Sequence, residues 1–215
     1  TGKEYTCYYT KTLDTHIDVA VDVLADMFFN SLFNEKDINI EKQVVLEEIN
    51  MYEDTPDDLV HDILAEVMWN GDALGYPILG TYESLGRLNR QTITDYLSNY
   101  YFPENTVIAI AGNYDDKKIK ELLEKYFSSW KNDKHKIVNY DTVNYNSGVK
   151  AKSKDTEQVH LCIGYKGIEY GNDDIYPLLI INNILGGGMS SRLFQKIREE
   201  KGLVYSIYSY PSSYR

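Results

Sequence analysis

Apolar positions along this chain switch between a period near two and a period near 3.6, and the switches mark out its elements. Alternation through Tyr5, Cys7 and Tyr9 predicts an opening strand. Asp14 or Thr15 suits an N-cap, and Val19, Val23, Leu24 and Met27 recur at helical spacing, predicting a helix to about Phe33. A second helix is expected from about Asn39 to Tyr52. A third starts with Thr55 as N-cap, Pro56 in the first position and Asp57 and Asp58 in the first turn. It runs through Ile63, Leu64 and Val67 to about Trp69. The stretch "NGDALGYPILGTYESLGRL" is rich in glycine and reads as loop. "NRQTITDYLSNYYFP" reads as an amphipathic helix stopped by Pro103, and "NTVIAIAGN" as a buried strand. "DDKKIKELLEKYFSSW" reads as a capped helix with acid–lysine pairs one turn apart.

Periodicity is lost from Lys131 to about Asn146, which predicts a linker over 136–146 between residues 1–135 and a second unit, 147–215. In the second unit "EQVHLCIGYKGI" reads as a strand and "NDDIYPLLIINNILGGG" as a helix ending in glycines. "SSRLFQKIREEKG" reads as a helix closed by Gly202, and "LVYSIYSY" as a strand. Helices mixed with strands predict an α+β class, with mixed or antiparallel sheets against packed helices. Both ends fall in strand-like runs. They predict a piece of a larger protein: one incomplete domain and the start of a second.

The second helix raises a chemical question. On a wheel at about 100° per residue, Glu41 and Glu48 lie within about 20° of each other, two turns apart. Ile40, Val44, Val45, Met51 and Tyr52 share their arc, while Lys42, Gln43, Glu47, Asn50 and Glu53 fall on the other side. Two carboxylates are therefore expected within the face the helix buries. Such groups must pair with a base, accept hydrogen bonds or bind a metal.

Bulk properties narrow the partners. A formal charge of -11 with a pI near 4.8 argues against nucleic acid or an anionic membrane as the main partner. No apolar run is long enough to span a bilayer, which takes about 18 residues or more. Cys7 and Cys162 show no metal-binding spacing, and a reducing cytoplasm is their expected home. His16, His61, His135 and His160 are scattered and form none of HxxxH, HExxH or HxxEH.

"GGGMSSRLF" lacks the ending of a phosphate loop and reads as a helix C-cap followed by a serine N-cap. Arg198 and Tyr205 flank the Gly202 stop. They admit two readings: a helix-end arginine beside a packed tyrosine, or a guanidinium and a phenol presented together to a substrate backbone.

Taken together, "TGKEYTCYYTKTL", "EKQVVLEEINMYEDTP", "LGYPILGTYESL", "YYFPENTVIAIAGN" and "GGGMSSRLFQKIREEKGLVYSIYS" resemble the pitrilysin/insulinase (M16) zinc metallopeptidases. The resemblance covers nearly the whole chain and is nearest to the bacterial, processing-peptidase-like subgroup. It implies a metallopeptidase-like fold and a zinc site built from HxxEH plus a distal glutamate. Glu48 matches that metal ligand, and Glu41 matches an acid that orients a ligand histidine. Arg198 and Tyr205 match a catalytic pair that grips substrate and steadies the oxyanion. Thr1, Gly2, Lys3 and Glu4 match the start of an edge on which a peptide adds as a strand. HxxEH is absent from this sequence, so the resemblance implies a zinc metalloendopeptidase for the parent protein and an inactive chain here. Zinc is expected in the full-length protein, and absent or weakly bound in this chain. Peptides are the expected substrates, a homodimer or second half the expected partner, and a bacterial cytoplasm the location. Non-catalytic scaffold subunits of the same family are the alternative.

Overall fold

A computed structural model describes residues 1–131 and 143–215. The chain forms two compact units, Thr1–Cys162 and Ile163–Arg215. The boundary expected at 135 and most of the expected linker over 136–146 lie outside the described residues.

The first unit contains α1 (Ile17–Phe29), entered through a 3-10 turn at Asp14–His16, then α2 (Glu35–Glu53) and α3 (Pro56–Met68). The short α4 (Tyr82–Arg87), α5 (Arg90–Tyr100) and α6 (Asp116–Phe127) follow. Three N-termini are fixed by side chains satisfying otherwise orphaned amides. Asp115 accepts from the amides of Lys117 and Lys118, and Asn89 from that of Thr92. Thr81 and Ser84 form a reciprocal capping box that starts α4, inside a stretch whose glycines predict loop. Thr55 behaves differently. Its hydroxyl donates to the Met51 carbonyl at 2.8 Å, closing the end of α2, and Pro56 alone starts α3.

α1 packs on α6, with Val21 and Ala25 of α1 and Ile119 of α6 buried. Asp18 of α1 pairs with Lys118 of α6 at 2.6 Å. An aromatic cluster closes one end of this pair. The Phe28 ring lies 4.9 Å from Trp130, 5.0 Å from Phe29 and 5.4 Å from Tyr101, separations that suit edge-on or tilted aromatic packing. Burial lifts the Tyr101 phenol far above its usual range, with help from Tyr8, whose hydroxyl lies 3.0 Å away.

α2 lies against α3 and α4, and a turn at Ala73–Gly75 returns the chain onto α3. Past the undescribed residues, Lys150, Lys152 and Lys154 reach back to the same region. Lys150 pairs with Glu66 at 2.5 Å and Lys152 with Glu53 at 3.2 Å. Lys154 binds the Asp54 carboxylate at 2.8 Å and also the Glu53 carbonyl. Their i, i+2, i+4 spacing puts all three on one side of an extended chain. Lys152 and Lys154 gather around the carbonyl end of α2, where cations are favoured, and Lys150 reaches the last turn of α3.

The second unit contains α7 (Ile175–Gly186) and a six-residue π-helical turn, Phe194–Glu199. Ser191, buried between them, accepts from the Phe194 amide at 3.4 Å, the serine cap expected after the glycines. Gly202, at φ 60°, ends the second helical stretch in the left-handed conformation that suits glycine. Gly186 is required for a different reason. A side chain there would run into the Ser209 backbone, whose amide donates to the Gly186 carbonyl at 3.2 Å.

The expected α+β class with mixed or antiparallel sheets is overturned. Among the described residues every regular element is helical and none is a strand. The runs around Tyr5–Tyr9, 106–111, 159–169 and 203–210 carry no regular element. Alternation reports an extended, two-faced chain, whereas a strand requires a neighbour whose N–H and C=O groups meet it in register. The backbone bonds Asn146 to Met68 and Tyr170 to Tyr214 are isolated links between distant segments, not ladders.

Candidate functional site

On α2 the wheel places the buried face wrongly by roughly 100°, one residue's turn. Ile38 and Ile49 are buried, and Lys42, Val45, Leu46 and Tyr52 are half-buried beside them. Glu41 and Glu48 are exposed. So are three of the five apolar neighbours on their arc, Ile40 at 56%, Val44 at 47% and Met51 at 66%, while Val45 and Tyr52 border the buried side. α2 thus carries two apolar stripes. α3 and α4 cover one of them, assisted by Lys42 donating to the Gly86 carbonyl and Tyr82 to the Asn50 side chain. The other stripe, holding both carboxylates, faces outward. Periodicity detects apolar stripes but cannot say which one the neighbours meet.

Beside the covered stripe lies a cleft of about 600 Å³ lined by Tyr52, Asp62, Trp69, Tyr76, Tyr82 and Lys150, among others. Burial raises the Asp62 carboxyl above the usual range, with the Lys3 and His61 charges opposing the shift and Asp58 adding to it. The Tyr52 phenol is raised as well, chiefly by burial and then by Asp62 and Asp58.

The N-terminal residues meet this cleft. Lys3 donates to the Tyr76 carbonyl, and the Gly2 amide donates to the Tyr5 carbonyl at 2.8 Å, closing a turn. Gly2 and Lys3 are half-buried, while Thr1 and Glu4 are exposed.

In the second unit Arg198 and Tyr205 come together. The Arg198 guanidinium carbon lies 4.6 Å from the centre of the Phe194 ring and 5.8 Å from that of Tyr205. Both separations are within cation–π range, which extends to about 6 Å. The helix-ending turn produces the approach. The Gly202 amide donates to the Arg198 carbonyl and the Leu203 amide to the Ile197 carbonyl, folding the following chain back beside Arg198.

Sequence reasoning missed two groupings. One is the lysine clasp, although "KAKSK" displays its alternation openly. The other joins distant positions: the Cys162 thiol lies 3.5 Å from Nδ1 of His61. No local pattern announces it.

Residues 1–82 match the model of the insulinase family, peptidase family M16, and residues 87–215 match the model of the peptidase M16 inactive domain. The chain belongs to the M16 peptidase family. This M16 chain is 52% identical over 214 residues to the uncharacterized zinc protease YmxG of Bacillus subtilis, covering all of this chain and 52% of that protein. It is 39% identical over 221 residues to an uncharacterized zinc protease of Streptomyces coelicolor, covering all of this chain and 48% of that one. The chain spans about half the length of the curated relatives it matches. Its fold is similar to that of a protease from Helicobacter pylori, with a TM-score of 0.81 at 21% identity over 95% of this chain and 51% of that one. It is also similar to a peptidase M16 inactive domain from Pseudomonas fluorescens, with a TM-score of 0.75 at 17% identity over 91% of this chain and 48% of that one.

The M16 family implies zinc, and the donors can be tested against it. Closed zinc sites take four ligands, and catalytic ones three from protein. Among the described residues no three of His, Cys, Asp and Glu gather into a metal-binding group. Glu48 is a single carboxylate, so these residues do not by themselves fit a zinc site.

Proposed function

We propose that this chain is part of a zinc-dependent metalloendopeptidase that cleaves peptides or small unfolded polypeptides, and that the chain alone is inactive because HxxEH is not in its sequence. The observation that carries this reading is the match of two M16 family models to consecutive parts of the chain. The names of its bacterial relatives, zinc proteases, support it.

In this reading Glu48 contributes one metal ligand from the exposed stripe of α2, and Glu41 orients a histidine supplied by another segment. Arg198 donates to a substrate carbonyl. The Tyr205 hydroxyl donates to the oxygen that gains charge as the scissile carbonyl is attacked. Residues 1–4 begin the edge along which the substrate backbone lies. A homodimer or a second half encloses the substrate, and the bacterial cytoplasm is the compartment. Among the described residues no helix is long and apolar enough to cross a membrane.

The test compares full-length protein with its Glu48→Gln variant for zinc content and peptide cleavage. Loss of both is expected. Unchanged zinc and activity would remove Glu48 from the site. The inactive-domain match over residues 87–215 favours one second reading, a non-catalytic scaffold or substrate-binding subunit. A full-length gene encoding other residues in place of HxxEH would decide for the scaffold.

A further inference from the structure

We propose that Cys162, paired with His61, is a reactive thiol site that forms mixed disulfides with low-molecular-weight disulfides. Two observations converge on it. A nucleophile and a base from positions 101 residues apart in sequence lie 3.5 Å apart, Sγ to Nδ1. His61 sits in the middle of α3, and Cys162 belongs to a run in which His160, Cys162 and Gly164 are half-buried while Val159, Leu161, Ile163 and Tyr165 are exposed. Both side chains of the pair are half-buried, within reach of a small reagent.

The chemistry follows from the pair. The thiolate is the nucleophile, and a neighbouring imidazole that accepts the thiol proton favours it. Asp58 and Asp62 lie on α3 near His61, and the Lys3 and His61 charges act on Asp62. The Cys162 thiolate attacks one sulfur of the incoming disulfide. A new S–S bond forms, the old one breaks, and the departing thiolate takes the proton from His61. The reagent is reduced by the amount that Cys162 is oxidised. The adduct replaces the contact with His61. Cys7, exposed on the opening run, is the internal reference.

The expected rate follows from two opposing effects. A free cysteine is only a few per cent thiolate at pH 7, so a histidine that takes the thiol proton raises the reactive fraction, but the thiolate's lower basicity takes back much of that gain. The net expectation is an acceleration of about threefold to fivefold.

The experiment uses dithiobis(nitrobenzoate) at pH 7 on the Cys7→Ser chain, which leaves Cys162 alone, and on the Cys162→Ser chain. Native Cys162 should exchange about threefold to fivefold faster than the same thiol in urea-unfolded chain, and adding His61→Gln should abolish the difference. A native rate at or below the unfolded one overturns the proposal without any change at His61. So does a folded His61→Gln protein that exchanges as fast as its parent. Mass spectrometry of a chain treated with cystine should place the adduct on Cys162 rather than Cys7, and the reverse placement also overturns it. Thiol exchange is read without peptide cleavage, so its outcome is independent of the peptidase reading.

Discussion

Arg198 and Tyr205 are seven positions apart and meet across a turn, with the guanidinium carbon 5.8 Å from the centre of the tyrosine ring. Phe194 holds the other approach at 4.6 Å, so two aromatic rings set the arginine's position. In full-length protein, Arg198→Ala should lower kcat/KM for peptide cleavage by about 100-fold, the cost a misplaced substrate can carry, with zinc content unchanged. Arg198→Lys should recover little, because an ammonium lacks the planar fork and stacks less well. Zinc lost together with activity would show that this arginine supports the metal site instead.

The two stripes of α2 should separate in stability measurements on the chain as it stands. Ile49→Ala, at a position only 6% exposed, should cost about 2–4 kcal/mol by urea denaturation. Val44→Ser and Ile40→Ser should each stay within about 0.5 kcal/mol, as exposed substitutions do. Equal costs on both stripes would contradict the burial pattern.

Gly186→Ala should destabilise the second unit by about 1–3 kcal/mol, the range for forcing extra atoms into a packed site. The added methyl would lie 2.4 Å from the Ser209 amide nitrogen, which is backbone and cannot swing aside. Hydrogen exchange should show the loss in residues 175–186 and around Ser209. Gly188→Ala has nothing within 4 Å and serves as the control.

Asp62 carries a pH signature. Burial raises its carboxyl in the folded chain, so the folded state holds that proton more tightly than the unfolded state does. The associated stability is fully present below the ordinary aspartate range and is lost as pH rises through the raised value. Urea midpoints measured from pH 3 upward should therefore fall for the parent relative to Asp62→Asn. The opposite trend would mean that Lys3 and His61 outweigh burial.

Helix positions were largely legible in the sequence because caps and breakers act locally. Asn89, Asp115, Pro56 and Gly202 each mark a boundary that the structure keeps. Side-chain facing was less legible. On α1 the helical spacing of Val19, Val23 and Met27 is real, yet those residues are exposed and Val21 and Ala25 are buried. α2 repeats the pattern. Where a helix carries apolar residues all round, the covered side depends on which segments arrive, and a single helix does not encode that. The strands failed for a related reason, since alternation describes one chain and pairing needs two. Arg198 and Tyr205 were legible as a pair because a single glycine turn joins them. His61 and Cys162 were not, because only the tertiary fold brings them together.

The lysine clasp has a kinetic consequence. Glu53 and Lys152 are separated by 99 residues, so the loop they close spans nearly half of the 215-residue chain. Closing such a loop costs entropy before any contact can repay it, and folds rich in distant contacts form slowly. α2 and α3, joined by a two-residue link, can assemble early from local contacts. The clasp belongs to the last part of the folding reaction. Neutralising Lys152 and Lys154 should accordingly speed unfolding and leave the folding rate nearly unchanged.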